Sequence, residues 1–290
     1  MDGMDFSIGE LARRTGLTVK AIRFYSDQGL VPAERDPGGF RRYDRAALAR
    51  LELIRTLRAL DLDLPAIRRI LDRELTLPEV AATHAAALAT QIRTLTQRHA
   101  VLRVAAARGA DAGELDRLHR LATLTRAERD HLVEDFLAEL PDNPVLTGLK
   151  RTLTPELPEN PDTAQIEAWL ELAELTADPG FRATLRQLAG RQEPVLRRDP
   201  IAVVRELVAP ALAAGIEPDQ PAARPVVLEL QAGWPRAELL ARLTAAADPR
   251  RERYVRLLAI VNGWQAPEPL APTLDWAIRA LRSTVDRAAQ

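Results

Sequence analysis

The 290-residue sequence contains no cysteine. Thiolate metal sites, iron–sulfur clusters, disulfides and cysteine-based redox sensors are therefore excluded. Aromatic residues are also scarce, at 4% of the chain, and no apolar run approaches the ~18–20 residues that a membrane-spanning helix needs. No signal peptide is apparent at the start of the sequence, so we expect a cytoplasmic protein without a membrane partner.

A strong overall charge is absent too, because the formal net charge is −1. The charges are nevertheless unevenly distributed. Residues 1–60 hold 11 Lys or Arg against 8 Asp or Glu, whereas residues 115–290 hold 22 against 26. This small asymmetry has the sign expected for a nucleic-acid-binding region at the N-terminus. The length predicts two domains and a connector.

Residues 7–29 have the pattern of two short helices joined by a tight turn. Ser7 and Glu10 form a capping box for the first helix, Gly16 suits the turn, and Thr18 caps the second helix. On the second helix, apolar residues face inward and three polar residues face outward: Lys20, Arg23 and Tyr25. A helix of this kind fits the DNA major groove.

The next stretch predicts a basic hairpin. Residues 36–39 read Asp-Pro-Gly-Gly, a turn signal, and Arg41, Arg42 and Tyr43 follow on the returning strand. Beside a recognition helix, such a hairpin is typical of a wing that grips the DNA backbone. The alternative is a solvated basic loop on some other helical domain.

Residues 6–75, which include IGELARRTGLTVKAIRFYSDQGLVPAERDPGGFRRY, closely resemble the DNA-binding domain of the MerR family of bacterial regulators. Two features depart from the family pattern. Phe24 replaces a tyrosine and so removes a hydroxyl, and Asp61-Leu62-Asp63 puts two carboxylates where the family approaches the DNA backbone. The predicted DNA-binding residues are Ser7, Thr18, Lys20, Arg23, Tyr25, Arg41, Arg42 and Tyr43.

A long helix is predicted after the capping box of Thr76 and Glu79. Residues 78–108 would span about 46 Å. Their apolar positions alternate in steps of three and four, as in a two-stranded coiled coil. The family resemblance implies antiparallel pairing of two subunits, and the alternative is a helix packed on its own C-terminal domain. The predicted dimerisation residues are Leu88, Ile92, Leu95, His99 and Leu102.

A homodimer would present two recognition helices, so the promoter site on double-stranded DNA should be a pseudo-palindrome. The resemblance further implies an activator. In that family, the bound effector makes the dimer bend and untwist promoter DNA, which aligns the promoter elements for RNA polymerase.

Residues 115–290 read as helices throughout. The predicted spans are 115–124, 126–139, 163–177, 179–190, 200–214, 221–232, 235–247, 249–262 and 272–287. Their order weakly resembles the antibiotic-recognition domain of thiostrepton-induced MerR regulators. All four tryptophans lie here, and planar side chains could form a pocket for an amphipathic compound. The candidate ligand-binding residues are Phe136, Trp169, Phe181, Trp234, Tyr254, Trp264 and Trp276. Residue by residue, a plain hydrophobic core is the alternative.

We find no phosphate-binding loop, nucleophile elbow or metal-binding helix motif, so we expect no catalysis, metal or cofactor. The predicted fold is all-α with a small β-hairpin wing. It comprises a winged helix-turn-helix domain (1–77), a coiled-coil dimerisation helix (78–108), a linker (109–114) and a multi-helix effector domain (115–290). The predicted function is antibiotic- or natural-product-responsive transcription regulation. The alternatives are a drug-sequestering protein and a regulator whose C-terminal domain docks a protein partner.

Overall fold

The computed structural model describes residues 6–140, 150, 152–189 and 200–286. Within them the chain forms fourteen α-helices and a three-stranded antiparallel sheet. The prediction of an all-α fold with a small hairpin wing is therefore confirmed. The chain divides into two compact units, Met1–Ile92 and Arg93–Gln290, which are described separately below.

The first unit combines the sheet with four short helices and the start of a long one. Strand order in the sheet is β1-β3-β2, so the predicted hairpin gains a third strand from the N-terminus. The elements are β1 (Phe6–Ser7), α1 (Ile8–Thr15), α2 (Val19–Asp27), β2 (Glu34–Arg35), β3 (Arg41–Tyr43), α3 (Arg45–Ala59), α4 (Leu64–Leu71) and α5 (Leu77–Arg108).

The helix starts of this unit are set by local side-chain bonds. The Ser7 hydroxyl accepts the Glu10 amide at 3.3 Å, while Glu10 Oε2 accepts the Ser7 amide at 2.7 Å. Thr18 Oγ1 accepts the Ala21 amide at 3.1 Å and so caps α2. These bonds satisfy amides that the first helical turn leaves without partners. The capping predictions for α1 and α2 are confirmed.

One hydrophobic core holds the first unit together. Every element from β1 to the start of α5 contributes to it except β2, and its members are completely or almost completely buried. They are Phe6, Leu11, Ile22, Leu30, Val31, Tyr43, Ala47, Leu51, Ile54, Leu57, Leu62, Ile67 and Val80. Because α1 and α2 are too short to be stable alone, this burial fixes their mutual arrangement.

The second unit is helical throughout its described residues. Besides the end of α5, its helices are α6 (Ala112–Thr123), α7 (Arg126–Leu137), α8 (Thr163–Ala177), α9 (Pro179–Ala189), α10 (Pro200–Ala213), α11 (Arg224–Gly233), α12 (Arg236–Ala246), α13 (Pro249–Asn262) and α14 (Ala271–Asp286).

Two helix starts differ from the predicted spans by three residues. Helix α6 begins at Ala112 because the Asp111 carboxylate caps it, so this helix takes up part of the expected linker. The span predicted from residue 221 opens as a 3-10 turn, Pro221–Ala223, before α11. Two further expectations fall partly or wholly outside the described residues: that the proline-rich residues 141–162 are irregular, and that Asp199 caps the helix beginning at residue 200.

Three hydrophobic cores fill the second unit, and α8 takes part in two of them. Ile166 and Leu170 of α8 pack with Ala100, Val101 and Val104 of α5 and with α6. The opposite side of α8 enters what we call the aromatic core. This core contains Val133, Phe136, Leu137, Leu140, Ala168, Trp169, Leu172, Ala173, Phe181, Tyr254, Leu257, Leu258 and Val261. The third core joins α10, α11, α12 and α14.

Candidate nucleic-acid interface

Helix α2 is held with one face in the core and the other toward solvent. Ile22 is completely buried, while Lys20 and Arg23 are exposed. Phe24 is also exposed, at 45% of its surface. Two cations three residues apart lie on the same side of a helix. We call Lys20, Arg23 and Phe24 the outer face of α2.

Arginines from α3 and α4 fix the ends of the two short helices. Arg55 Nη1 donates to the carbonyl of Thr15 at 2.8 Å, where α1 ends. Arg68 Nη2 donates to the carbonyl of Gln28 at 2.7 Å, just after α2. A cation at a helix C-terminus satisfies free carbonyls and opposes the negative end of the helix dipole. Sequence reasoning missed both arginines, since each bond spans 40 residues.

The wing has a turn closed by Asp36. The Asp36 amide bonds the Phe40 carbonyl at 2.9 Å, and Asp36 Oδ1 accepts the Phe40 amide at 2.9 Å. Gly39 has a φ of 82°, in the left-handed region that glycine tolerates best. Phe40 stands at the tip with 73% of its surface exposed. Sequence reasoning missed this aromatic, although its place beside the Gly-Gly turn was a usable signal.

Arg41 ties the wing to α2. Its Nη2 lies 2.6 Å from Asp27 Oδ1 in the last residue of the helix. This hydrogen bond raises the pKa of Arg41 above its ordinary value. A guanidinium already paired with a carboxylate has less to offer a phosphate. We therefore infer that Arg41 also positions the wing against α2. The DNA contact predicted for Arg41 stays a prediction.

Tyr43 is buried in the first core, with 1% of its surface exposed. Its hydroxyl lies 3.3 Å from the hydroxyl of Ser26, again on α2. A ring enclosed in this way supports the wing from beneath, so we correct its predicted DNA contact to a packing role. Arg42, the neighbouring residue, is half-buried on the central strand β3, opposite Ser7 and Glu34.

The remaining predicted DNA-binding residues occupy different environments. The Ser7 hydroxyl is engaged in the α1 capping box, and Tyr25 is half-buried against the first core. Thr18 is exposed at the start of α2. The exposed cations next to them are Lys20 and Arg23. The outer face of α2 and the tip of the wing therefore carry exposed side chains that a nucleic acid could contact.

The acidic turn before α4 has a structural explanation. Asp63 Oδ1 accepts the Ala66 amide at 2.8 Å and so caps α4. Asp61 adopts a φ of 66° at the end of α3, a conformation that glycine adopts more easily. One of the two carboxylates is thus engaged in capping, while Asp61 occupies a left-handed position.

The predicted dimerisation residues form an uncovered stripe on α5. Leu88, Ile92, Leu95 and Leu102 are 42%, 62%, 61% and 60% exposed, and His99 is also exposed. We call these five residues the seam. In the second half of α5 the opposite side is the one that packs inside the chain, through Ala100, Val101 and Val104. The seam is therefore not the face through which this half of α5 packs against the other helices of the second unit.

The seven candidate ligand-binding aromatics lie in different parts of the second unit. Phe136, Trp169, Phe181 and Tyr254 are buried in the aromatic core. Trp234 and Trp276 belong to the third core, while Trp264 is exposed at 53%. An open groove of about 520 Å³ lies elsewhere, between α9 and α12. Its lining residues are Thr184, Gln187, Ala237, Leu240, Ala241, Thr244, Ala245, Asp248 and Arg282.

Among the described residues, no helix is long and apolar enough to cross a membrane. Over the same residues, no group of three or more His, Cys, Asp or Glu side chains is arranged to hold a metal ion.

A recognition helix, its supporting helices and a three-stranded wing define a winged helix-turn-helix. Residues 6–74 match the family model of the MerR HTH family regulatory proteins. The N-terminal part of this chain is a MerR-family helix-turn-helix domain, which confirms the resemblance inferred for residues 6–75.

Three relatives illustrate the extent of similarity. The chain is 41% identical over 91 residues to the nodulation protein NolA of Bradyrhizobium sp. (strain NC92), covering 31% of this chain and 38% of NolA. It is 44% identical over 68 residues to a homolog of the transcriptional regulator ZntR from Haemophilus influenzae, covering 23% and 50%. It is 41% identical over 70 residues to the transcriptional activator TipA of Streptomyces coelicolor, covering 24% and 28%.

The chain thus spans half or less of the length of these relatives. The TipA match has about the length of the helix-turn-helix domain alone. The similarity expected between residues 115–290 and an antibiotic-recognition domain stays a prediction.

Proposed function

We propose that this protein is a homodimeric transcription regulator that binds a pseudo-palindromic promoter and responds to a bulky, partly apolar small molecule. The observation that carries the DNA-binding proposal is the outer face of α2 beside the wing. Lys20 and Arg23 project into solvent from a helix whose other face is locked in the core. Arginine and lysine are the side chains that most often contact phosphates and guanine edges.

The wing adds a second contact beside the recognition helix. The pair Arg41–Asp27 and the buried Tyr43 hold β3 against the end of α2, so helix and wing act as one surface. Phe40 at the tip offers an apolar ring of the kind that packs on sugar and base edges. Arg42, from the same strand, supplies positive charge. Such backbone contacts fix the position of the recognition helix on the duplex.

The seam on α5 supports dimerisation through a second copy of the chain. Three leucines, one isoleucine and a histidine follow the heptad spacing of a coiled coil, and all five are exposed in the single chain. Burial of apolar surface at ~25 cal/mol per Å² would favour its pairing with an identical seam. A second copy of the chain is the proposed occupant, because its α5 carries an apolar stripe with the same spacing. A two-fold dimer then requires inverted half-sites in the DNA.

The effector response is proposed for the second unit. This unit has more described helices than DNA binding or pairing through α5 requires. Helix α8 joins the aromatic core to the half of α5 that belongs to this unit. Ligand binding that shifts α8 would therefore act directly on the proposed dimerisation helix. RNA polymerase at the promoter is the proposed recipient of that change.

Selection of duplexes from a random library by the full chain tests the DNA-binding proposal. We expect enrichment of one sequence with two inverted half-sites. Enrichment of single half-sites, or of no sequence at all, would contradict the proposal.

The effector proposal is tested by tryptophan fluorescence and thermal melting against a panel of antibiotics and amphipathic metabolites. A ligand should change the emission, raise the melting temperature and alter transcription from the selected site. A ligand that binds without any effect on DNA binding or transcription would contradict it.

A further inference from the structure

An irregular segment lies on the aromatic core and is held there by side chains of α13. We call residues 152–157 the strap. Tyr254 donates its hydroxyl to the Leu153 carbonyl at 2.6 Å. The Asn262 amide group makes two bonds, from Nδ2 to the Thr154 carbonyl at 3.2 Å and from the Glu156 amide to Oδ1 at 2.7 Å. Three of the bonds that hold the strap therefore join its backbone to side chains of one helix.

These bonds recognise a peptide backbone and not particular side chains. The side chain of Asn262 offers one donor and one acceptor, as the backbone of a neighbouring strand would. The donor bonds the carbonyl of Thr154, and the acceptor bonds the amide of Glu156, two residues further along. Any extended peptide with carbonyl and amide groups at the same spacing could accept this arrangement. Tyr254 adds a third donor at the end.

The apolar side chains of the strap follow an alternating pattern. Leu153 and Leu157 pack against the aromatic core, and Pro155 between them is buried. Of the two residues between these three, Glu156 is exposed and Thr154 is half-buried. Alternate burial is typical of an extended chain in a groove, because successive side chains point to opposite sides.

The strap is also predisposed to be extended. Thr154 precedes Pro155 and Leu157 precedes Pro158, and a residue before proline avoids the helical region. Residues 154–158 accordingly form no helix or strand. A chain that is already extended loses less conformational entropy when a groove takes it up.

The groove beneath the strap needs an occupant. Burial raises the pKa of the Tyr254 hydroxyl, which therefore stays a protonated donor at neutral pH. Without the strap, the buried hydroxyl of Tyr254 would lose its acceptor, and the half-buried side chain of Asn262 would lose two hydrogen bonds. The apolar floor would be exposed as well. Replacement of the strap by another chain of similar chemistry would therefore cost less free energy than its departure into water.

We propose that the surface formed by α13 and the aromatic core is a binding groove for an extended, proline-containing peptide with apolar side chains at alternate positions. The strap occupies this groove in cis, as an internal competitor. Regulation by such a peptide would rest on the proposed effector response. Peptide binding to the groove does not depend on that response and can be measured separately.

The test uses the full chain and a labelled synthetic peptide with the sequence of residues 152–158, TLTPELP. Leu153→Ser combined with Leu157→Ser weakens the internal strap. Fluorescence polarisation should show saturable peptide binding to this variant, and binding at least about tenfold weaker to the unaltered chain, whose strap competes at high effective concentration. A peptide with serine in place of both leucines is the matched control and should not bind.

Asn262→Ala in the weakened background should reduce peptide affinity about tenfold, the effect of ~1.4 kcal/mol. A folded variant that does not bind the peptide, or binding that is insensitive to Asn262→Ala, would overturn the proposal. If the double variant does not fold, hydrogen exchange in the unaltered protein decides. The Glu156 amide should then exchange well before the amides of α8 and α13, and equal protection would overturn the proposal.

Failure of the peptide-binding proposal can be distinguished from failure of the proposed DNA-binding and effector functions. DNA selection and the fluorescence panel do not involve the peptide, so they can succeed while the groove proposal fails.

Discussion

Each unit of the chain contains a group of aromatic side chains in a distinct environment. In the first unit, Phe24 and Phe40 are 45% and 73% exposed, next to the exposed cations Lys20 and Arg23. In the second unit, Phe136, Trp169 and Phe181 are each exposed by only 1%. The three rings Phe136, Phe181 and Tyr254 lie within 5.4–5.9 Å of one another.

The role of an aromatic residue in this protein depends on whether its ring is buried or exposed. A buried ring that contacts other rings contributes mainly to stability. An exposed ring beside cations costs solvation without contributing to a core, and so it points to a contact with a partner. The exposed seam on α5 resembles the exposed rings in this respect, because it is apolar surface that no described part of its own chain covers.

The largest effect is expected from truncation of a buried ring. Trp169→Ala removes a side chain that packs in the aromatic core and whose Nε1 donates to the Leu121 carbonyl at 3.2 Å. We expect a loss of about 3–5 kcal/mol in the free energy of unfolding. Phe40→Ala should change it by less than about 0.5 kcal/mol. Denaturant titration measures both, and similar losses for the two variants would break the comparison.

A charge on the seam should disrupt the dimer. Leu95→Glu places a carboxylate in an apolar contact, a cost of ~3 kcal/mol or more, which weakens association at least about a hundredfold. Ala87→Glu is the control, since Ala87 is exposed on α5 away from the seam. Sedimentation equilibrium gives the dissociation constants. If both variants associate like the unaltered chain, the seam is not the dimer contact.

Loss of Arg23 should affect sequence recognition, whereas loss of Arg42 should affect binding to all sequences. Arg23→Ala removes a side chain on the outer face of α2, and we expect specific binding to fall by about 1–3 kcal/mol per half-site. Arg42→Ala should weaken binding uniformly and reduce the slope of log K against log salt by about one.

Gel-shift titrations at several salt concentrations separate these two roles. Arg126→Ala serves as the control, because Arg126 lies on α7 with 81% of its side chain exposed. Normal operator affinity of the Arg23 variant would remove the outer face of α2 from the interface.

The smallest effect is a stabilisation. Asp61 occupies a left-handed conformation with a φ of 66°. Asp61→Gly relieves this strain and should raise the free energy of unfolding by up to about 1 kcal/mol. Asp63→Ala is the informative comparison, since it removes the α4 cap and should destabilise by roughly 1 kcal/mol. A loss of stability in the Asp61 variant would show that its carboxylate has a favourable role.

Features encoded within a few residues could be predicted from the sequence. The capping box of Ser7 and Glu10, the cap at Thr18 and the Gly39 turn involve neighbours within four positions, so the chain determines them locally. The outward direction of Lys20 and Arg23 follows from helical periodicity. These local rules also explain why the helices of the second unit begin near the predicted positions.

Contacts between distant residues could not be predicted in this way. The bond of Arg68 to Gln28 and the pair Arg41–Asp27 depend on packing that periodicity does not describe. Tyr43 follows two arginines in the sequence and so looked like a third contact residue, although its ring is in the core. The strap lies about 100 residues from Tyr254 in the chain, so no local pattern indicated its groove.

The central claim is that two copies of this chain, joined through the seam, bind DNA with two copies of the α2 outer face. The mass of the complex between the full chain and the selected duplex tests it most directly, by sedimentation or native mass spectrometry. The account predicts two chains on one duplex with inverted half-sites, and loss of that complex for Leu95→Glu. One chain on each duplex, bound with unchanged affinity by Leu95→Glu, would contradict it.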